Sequence, residues 1–446
     1  MRDLENPLAG RLEAAASALA SDPGVTETGT AEVSLLRYLG YNDGNTALAG
    51  SRVRLLRAAA RLRRLFLLPV PDAPGLTFFG GEADPAILGE RYKGRPIGKL
   101  AGSGLTPQRA FESCVGEGIE YLSQFIQDND AIETGPLSAY GETPDTDVRR
   151  FVTEVLAASS VDADHPIAWV AARGLSAGDK VRFPLDLCYR RPASDQDFTP
   201  PLKLSSGCAA GTSVEAATLR ALLELIERDA VALWWRGGRR GRSISPTTEA
   251  AAAAAQLLAQ TRPSSTQRKT WLLDITTDVE IPAVAAVSAR SDQLGFAFGF
   301  GARLSLAEAA RAAIFELYQV ELGQHVIAAK RVESGDAALT ENDRRQLRRG
   351  TLFDSRDCKL LHPETAAADA PSVSVSNLQQ ALERLQSRGV AVYRIDLTRP
   401  KFGVPVVRVL APALQLEPCQ VIGPRLARMI GETGGGSRYH GGMQLL

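Results

Sequence analysis

Glu117, Glu120, Glu224, Glu227 and Glu316 are the residues whose spacing most plainly suggests chemistry, because they recur within one pattern written three times. Each copy has a hydroxyl residue able to start a helix, a run rich in small residues, and then a glutamate followed by a polar group three positions later. Thr106 leads to Glu117 and Glu120, Ser213 to Glu224 and Glu227, and Ser305 to Glu316 and Gln319. Residues three apart on a helix point the same way, so each pair shares a face. If the three helices converge, the carboxylates form an acidic nest that calls for a cation, because an isolated buried charge is too costly. The competing reading is an ordinary solvated helix face. The second run, AATLRALLELIERDAVALWW, is apolar nearly all round, which argues for burial instead.

Small-residue stretches precede all three runs: GSGLT, SSGCAAGTS and GFGARLS. Read as loops, they let backbone approach a ligand closely, and the helix starts that follow offer unpaired N–H groups to phosphate. No GxxxxGK[ST] loop occurs, so the reading is a nucleotide site in which acidic helix faces hold Mg2+.

The elements that must position these groups alternate. Strands are expected at TWLLDIT, IPAVAAVSA, FAFGFGA, AVYRIDL and VPVVRVLAP. Helices are expected at about 106–127, 213–236, 247–260, 305–329 and 376–388. This predicts a mixed α/β (α+β) body with the three motif helices packed on β-sheet. Residues 1–78 read as a separate appendage, with a helix near 12–20, a Gly/Thr/Asp linker, and a helix over 51–66. That second helix carries Arg52, Arg54, Arg57, Arg61, Arg63 and Arg64, either as a solvated basic face or as a docking surface for an acidic partner.

The stretch SSGCAAGTSVEAATLRALLELIERDA resembles the signature of the YcaO family, ATP-dependent enzymes that activate backbone amides in peptides. GSGLTPQRAFESCVGEGIEYL resembles an earlier family motif at Ser113, Glu117 and Glu120, and SLAEAARAAIFELYQ a later one at Glu316 and Gln319. The resemblance covers about residues 80–430 and implies a catalytic domain over 79–446 with a YcaO-like fold around an ATP/Mg2+ site. It implies Glu117, Glu120, Glu224, Glu227 and Glu316 as metal ligands, with Ser113, Arg228 and Gln319 also at the nucleotide. No catalytic residue is assigned. Tyr121 stands where the first motif usually has arginine, Ser103 where a turn often has lysine, and Ala216 where a glutamate is common, with Glu215 adjacent.

The implied function is cyclodehydration of Cys, Ser or Thr in a ribosomally made precursor peptide to thiazoline or oxazoline, as in biosynthesis of thiazole/oxazole-modified antibiotics. The alternatives are thioamidation with a TfuA-type partner, to which the missing proline-rich tail points, and a non-catalytic scaffold, to which the motif departures point. The implied partners are the precursor peptide, a leader-binding or ubiquitin-activating-enzyme-like protein, and a flavin-dependent dehydrogenase where azoles are the product; a homodimer within such a complex stays open.

Composition agrees. Lys plus Arg equals Asp plus Glu at 51 each, so no net field favours nucleic acid. The five cysteines lack CxxC spacing and fit reduced thiols in a cytoplasm. No signal peptide or membrane span is expected. WWRGGRRGRS, with Arg236, Arg239, Arg240 and Arg242, is either a solvated loop or a holder of phosphate or acidic peptide. Of the four histidines none is assigned to catalysis, although Tyr439 and His440 lie in a glycine-rich tail able to approach the site.

Overall fold

The three motif runs each fold as a short strand, a tight turn and a helix, and in the first and third the helix returns over its own strand. The pairs are Gly98–Gly104 with Pro107–Ser123, Cys208–Ala210 with Val214–Trp235, and Ala297–Ala302 with Leu306–Ser334. This is seen in a computed structural model that describes residues 6–24, 30–140, 145–176, 178–263, 265–364 and 375–445. Each helix begins at the expected hydroxyl. Thr106 accepts the Arg109 N–H, Ser213 the Ala216 N–H, and Ser305 the Glu308 N–H at 3.2 Å, satisfying one otherwise orphaned donor apiece.

The chain divides into two units, one of residues 1–69, 76–222 and 393–410, the other of 70–75, 223–392 and 411–446. The division passes within the second motif helix. The first unit holds a three-stranded sheet, in the order Arg64–Leu67, Thr77–Ala83, Gly98–Gly104. It also holds a six-stranded sheet ordered Glu133–Gly135, Ile167–Gly174, Tyr393–Asp396, Val406–Leu410, Cys208–Ala210, with Lys180–Pro184 paired to the second of these. The second unit holds a four-stranded sheet ordered Ala297–Ala302, Ala283–Arg290, Arg268–Asp274, Arg242–Ser243. Among the described residues, pairing within these sheets is antiparallel throughout.

The mixed α/β expectation holds, and each of the five expected strands lies within two or three residues of an observed one. Ala283–Arg290 is buried at every position but its last, which explains why it reads as a continuous run of small apolar residues. The first motif helix buries Ala110, Phe111, Cys114, Val115, Gly118, Ile119 and Leu122 and leaves Ser113 and Glu117 exposed, a stripe of helical period.

Two expectations need correction. The basic helix is Thr46–Ala60 and does not reach residue 66, because Arg64–Leu67 pairs with Thr77–Ala83 as a strand. Its Arg52 is no solvated charge: it is buried, 2.6 Å from Asp43, with its guanidinium 4.9 Å from the Tyr41 ring centre. The expected linker contains a helix, Ala31–Tyr38, while its residues 25–29 lie outside the described residues. No described helix is long and apolar enough to cross a membrane.

Candidate functional site

The glycines before the motif helices belong to strands or strand ends, not to open loops, and the reason is packing. A Cβ on Gly102 would lie 2.2 Å from the Ala110 carbonyl oxygen and 2.4 Å from Cys114 N; one on Gly299 would lie 2.1 Å from Leu317 N. The helix backbone therefore rests directly on the strand, which only glycine permits. That close approach brings a glutamate side chain back to the strand. Glu117 Oε2 accepts the Ala101 N–H at 2.6 Å, and Glu316 Oε2 accepts the Phe300 N–H at 2.7 Å.

In the second unit, Glu224, Glu227 and Arg228 share a stretch of the second motif helix. Arg228 Nη2 donates to Glu224 Oε1 at 3.3 Å, and its Nη1 lies 3.7 Å from Glu227 Oε1. Glu227 is only 7% exposed. Burial pushes its carboxyl up to about 7, with the negative charges of Glu316 and Glu224 adding and Arg228 and Arg303 opposing. Burial also raises Glu316, against the pull of Arg228 and the Phe300 N–H. Arg228 feels the reverse balance: burial disfavours its charge, but Glu227, Glu224 and Glu316 outweigh that and hold it above the ordinary guanidinium value. Its Nε and Nη1 are buried without a hydrogen-bond partner. Gln319 is half-buried one turn beyond Glu316.

The first unit carries the other named residues. Ser113 and Glu117 are exposed on the first motif helix, and Glu120 Oε1 accepts the Ala210 N–H at 2.7 Å. Glu120 thus ties the first motif helix to the strand that leads into the second. Tyr121 donates its hydroxyl to the Pro96 carbonyl at 2.5 Å and lies against Gly98, so its ring fills a packing position.

Two charged residues of the second-unit cluster were missed from sequence. Arg303, within the quoted GFGARLS, acts on both Glu227 and Glu316. Glu417 feels the charge of Arg228 and holds Arg236 at 2.7 Å. Arg303 could have been found by its place two residues before the Ser305 cap; Glu417 carries no local signal.

Other sequence candidates resolve into structural roles. Every arginine of WWRGGRRGRS has an internal partner: Arg236 with Glu417, Arg239 with the Ile275 and Thr276 carbonyls, Arg240 with the His362 carbonyl, and Arg242 with Asp274. His440 stacks on Trp235 with ring centres 4.2 Å apart, and its Nε2 meets the Trp235 carbonyl. The five cysteines are free and buried, and burial pushes Cys114 and Cys188 up to about 12, which makes them inert thiols.

Among the described residues no group of three or more acidic, His or Cys side chains is gathered as a metal cage. The motif carboxylates are held by backbone amides and by Arg228. Their chemistry nevertheless fits a hard cation: all donors are oxygen, Glu316 and Glu224 raise the cost of ionising Glu227, Glu224 raises that of Glu316, and Arg228 has two buried donors left over.

Residues 101–415 match the family model described as YcaO cyclodehydratase, ATP- and Mg2+-binding. Among solved structures the chain is similar to a heterocyclase in complex with substrate and cofactor, at 23% identity and a TM-score of 0.63, covering 83% of this chain and 52% of that one. The chain thus spans about half the length of that heterocyclase. It is also similar to YcaO from Methanopyrus kandleri bound with AMPPCP and Mg2+, at 21% identity and a TM-score of 0.57, covering 83% of this chain and 90% of that one. A third likeness is to the E. coli microcin synthetase McbBCD complex with pro-MccB17 bound, at 17% identity and a TM-score of 0.58, covering 78% and 88%.

Proposed function

The chain belongs to the YcaO cyclodehydratase family, and from that premise we propose that it activates backbone amides of a ribosomally made peptide with ATP and Mg2+, closing Cys, Ser or Thr side chains onto them to give thiazoline or oxazoline. The observation that carries this reading is the cluster of Glu224, Glu227, Glu316 and Arg228, crowded carboxylates around a guanidinium with unspent donors. The family motifs make Glu117, Glu120, Glu224, Glu227 and Glu316 the residues that would hold Mg2+. Arg228, Gln319 and Ser113 contact nucleotide.

Magnesium-bound ATP supplies an electrophilic phosphoryl group and neutralises its charge. The substrate side chain adds to the neighbouring peptide carbonyl, the oxyanion so formed takes the terminal phosphoryl group, and phosphate leaves with the amide oxygen, leaving ADP and the C=N bond of the ring. The residues of this chain have little covalent work to do. They position the phosphates and offset charge, for which Arg228, held at an angle by Glu224, is preset.

The related solved complexes contain a substrate or a pro-peptide and companion chains. By analogy this chain takes a precursor peptide with a leader-binding or ubiquitin-activating-enzyme-like partner in the cytoplasm, and a flavin-dependent dehydrogenase acts afterwards where azoles are formed. The basic helix of the N-terminal 78 residues is a docking element in that assembly.

The test is the intact mass of a candidate precursor peptide, encoded beside this gene, after co-expression with this chain and its neighbours. Loss of one water per modified residue is the expected result. Replacement of oxygen by sulfur would instead establish thioamidation, and an unchanged mass would make the chain a scaffold.

A further inference from the structure

Buried arginines in this protein are as a rule paired with carboxylates. Arg191 is held by Asp186 and Asp197, Arg262 and Arg268 by Glu321, Arg399 by Asp130, and Arg425 by Asp229 and Asp278. Arg349 breaks the rule in the second unit, where carbonyls and the Phe298 ring receive it, and in the first unit buried Arg408 and half-buried Arg95 and Arg190 break it: among the described residues none of them makes an ion pair.

Arg408 and Arg95 bear on Arg190 instead. The charges that bear most on Arg190 are Tyr121, Arg408, Cys208 and Arg95, none of them a carboxylate. Arg408 is 1% exposed, gives one nitrogen to the Leu204 carbonyl, and has a buried Nε with no partner. Arg95 donates to the Arg191 carbonyl at 3.0 Å and also leaves a buried Nε unpartnered. Asp84, the carboxylate felt by Tyr121, accepts the Ala86 N–H. Three guanidiniums without a counter-charge are costly to keep in a fold unless an anion joins them.

Their place indicates which anion. Arg190 is fixed by backbone bonds to the end of the first motif helix, its N–H to the Gln124 carbonyl at 2.7 Å and its carbonyl to the Ile126 N–H at 3.1 Å. Its Nε donates to Gln124 Oε1 at 2.9 Å, and its guanidinium lies 5.2 Å from the centre of the Tyr121 ring. Arg408 pairs in register with Cys208, two residues from Ala210, whose N–H is held by Glu120. Arg408 thus lies two strand positions from the residue that Glu120 holds, and Arg190 lies against Tyr121, the next residue along the helix.

We propose that Arg190, backed by Arg95 and Arg408, forms a phosphate-binding site for the phosphates of ATP, supplying from the 188–191 segment the cation that Tyr121 denies to the first motif helix. This rests on the ATP reading above. A guanidinium preset by Gln124 and Tyr121 pays little rotamer entropy on binding, and its fork suits phosphate oxygens.

The test uses the full chain with two probes, tripolyphosphate without Mg2+ in thermal unfolding, and Mg·ATP in calorimetry. Tripolyphosphate should raise the Tm of the wild type and of Glu224→Gln equally, but not that of Arg190→Gln. Arg190→Gln should weaken Mg·ATP about tenfold to a hundredfold, the loss of a charge-assisted contact, and leave adenosine affinity unchanged. Arg190→Lys, which keeps the charge, should recover part of both effects and carries the test if Arg190→Gln fails to fold. Wild-type binding of both probes by Arg190→Gln and Arg190→Lys would overturn the site while leaving the ATP reading intact. Stabilisation by tripolyphosphate through Arg190 in a wild type that ignores Mg·ATP would sink the ATP reading and with it the assignment of this anion to nucleotide. A wild type that responds to neither probe would remove both.

Discussion

Glu316 accepts the backbone N–H of Phe300, sixteen residues before it, at 2.7 Å, and Glu117 accepts that of Ala101, also sixteen before it, at 2.6 Å. The two units thus repeat one device, in which a helix lies so close on its own strand that a carboxylate closes onto the strand backbone. That hydrogen bond fixes where the second carboxylate oxygen points, the property a metal ligand needs. Glu316→Gln keeps an acceptor of the same shape, so it should leave unfolding within about 1 kcal/mol of wild type. It removes the charge, and Mg·ATP affinity measured by calorimetry should fall about tenfold or more, equivalent to at least about 1.4 kcal/mol. Unaltered affinity would remove Glu316 from the site.

Glu227 makes a pH prediction. Its carboxyl is pushed up to about 7 by burial, so near neutrality a proton competes with Mg2+ for it. Mg·ATP affinity should weaken as pH falls below 7, approaching tenfold per unit for one proton. In calorimetry across buffers of different ionisation enthalpy, binding should release about three-quarters of a proton at pH 6.5. Stability of the free protein runs the other way. A carboxyl raised in the folded state favours folding fully below the ordinary carboxylate range and loses that contribution as pH rises toward 7. A binding curve flat from pH 6 to 8 would contradict this.

The sequence showed the repeat because eleven-residue hydroxyl-to-glutamate spacing survives in a linear string, as do N-caps and the small-residue character of the flanking stretches. It misled where one residue type serves two purposes. Glycine in GSG and GFG reads as a ligand-approach loop, yet Gly102 and Gly299 are there because a helix lies against them. Arginine after Trp235 reads as either a solvated loop or an anion holder, yet its partners, among them Glu417 and Asp274, come from distant segments. Long-range pairing has no local signature, which also hid Glu417 and the unpaired Arg190.

The close strand-to-helix approach is itself testable. Gly299→Ala places a methyl 2.1 Å from Leu317 N and 2.2 Å from the Ala313 oxygen, both backbone atoms that cannot turn aside. It should cost about 1–3 kcal/mol or more in urea unfolding, the range of overpacked cores. Gly10→Ala, whose new methyl meets nothing within 4 Å in the first turn of a helix, should be neutral or stabilising by up to about 1 kcal/mol. Equal costs for the two would refute the packing account.

Glu321 separates a structural glutamate from a functional one on the same helix. It is 1% exposed, lies five residues after Glu316, and holds Arg262 at 2.8 Å and Arg268 at 3.0 Å, with the Ser288 hydroxyl also donating to it. Arg262 in turn reaches Thr270 and the Asp72 carbonyl, so the carboxylate ties together three segments of the second unit. Removing one partner strands two buried cations, and Glu321→Ala should therefore destabilise by about 3–5 kcal/mol. Glu316→Gln is expected to do the opposite, losing ligand affinity while the fold stands. Mg·ATP affinity of Glu321→Ala, measured well below its lowered Tm, should stay within a factor of about 3 of wild type, since Glu321 points away from Glu316 around the helix and the two share no hydrogen-bond partner. A large loss of affinity with little loss of stability would place Glu321 among the metal ligands and break the assignment made from spacing.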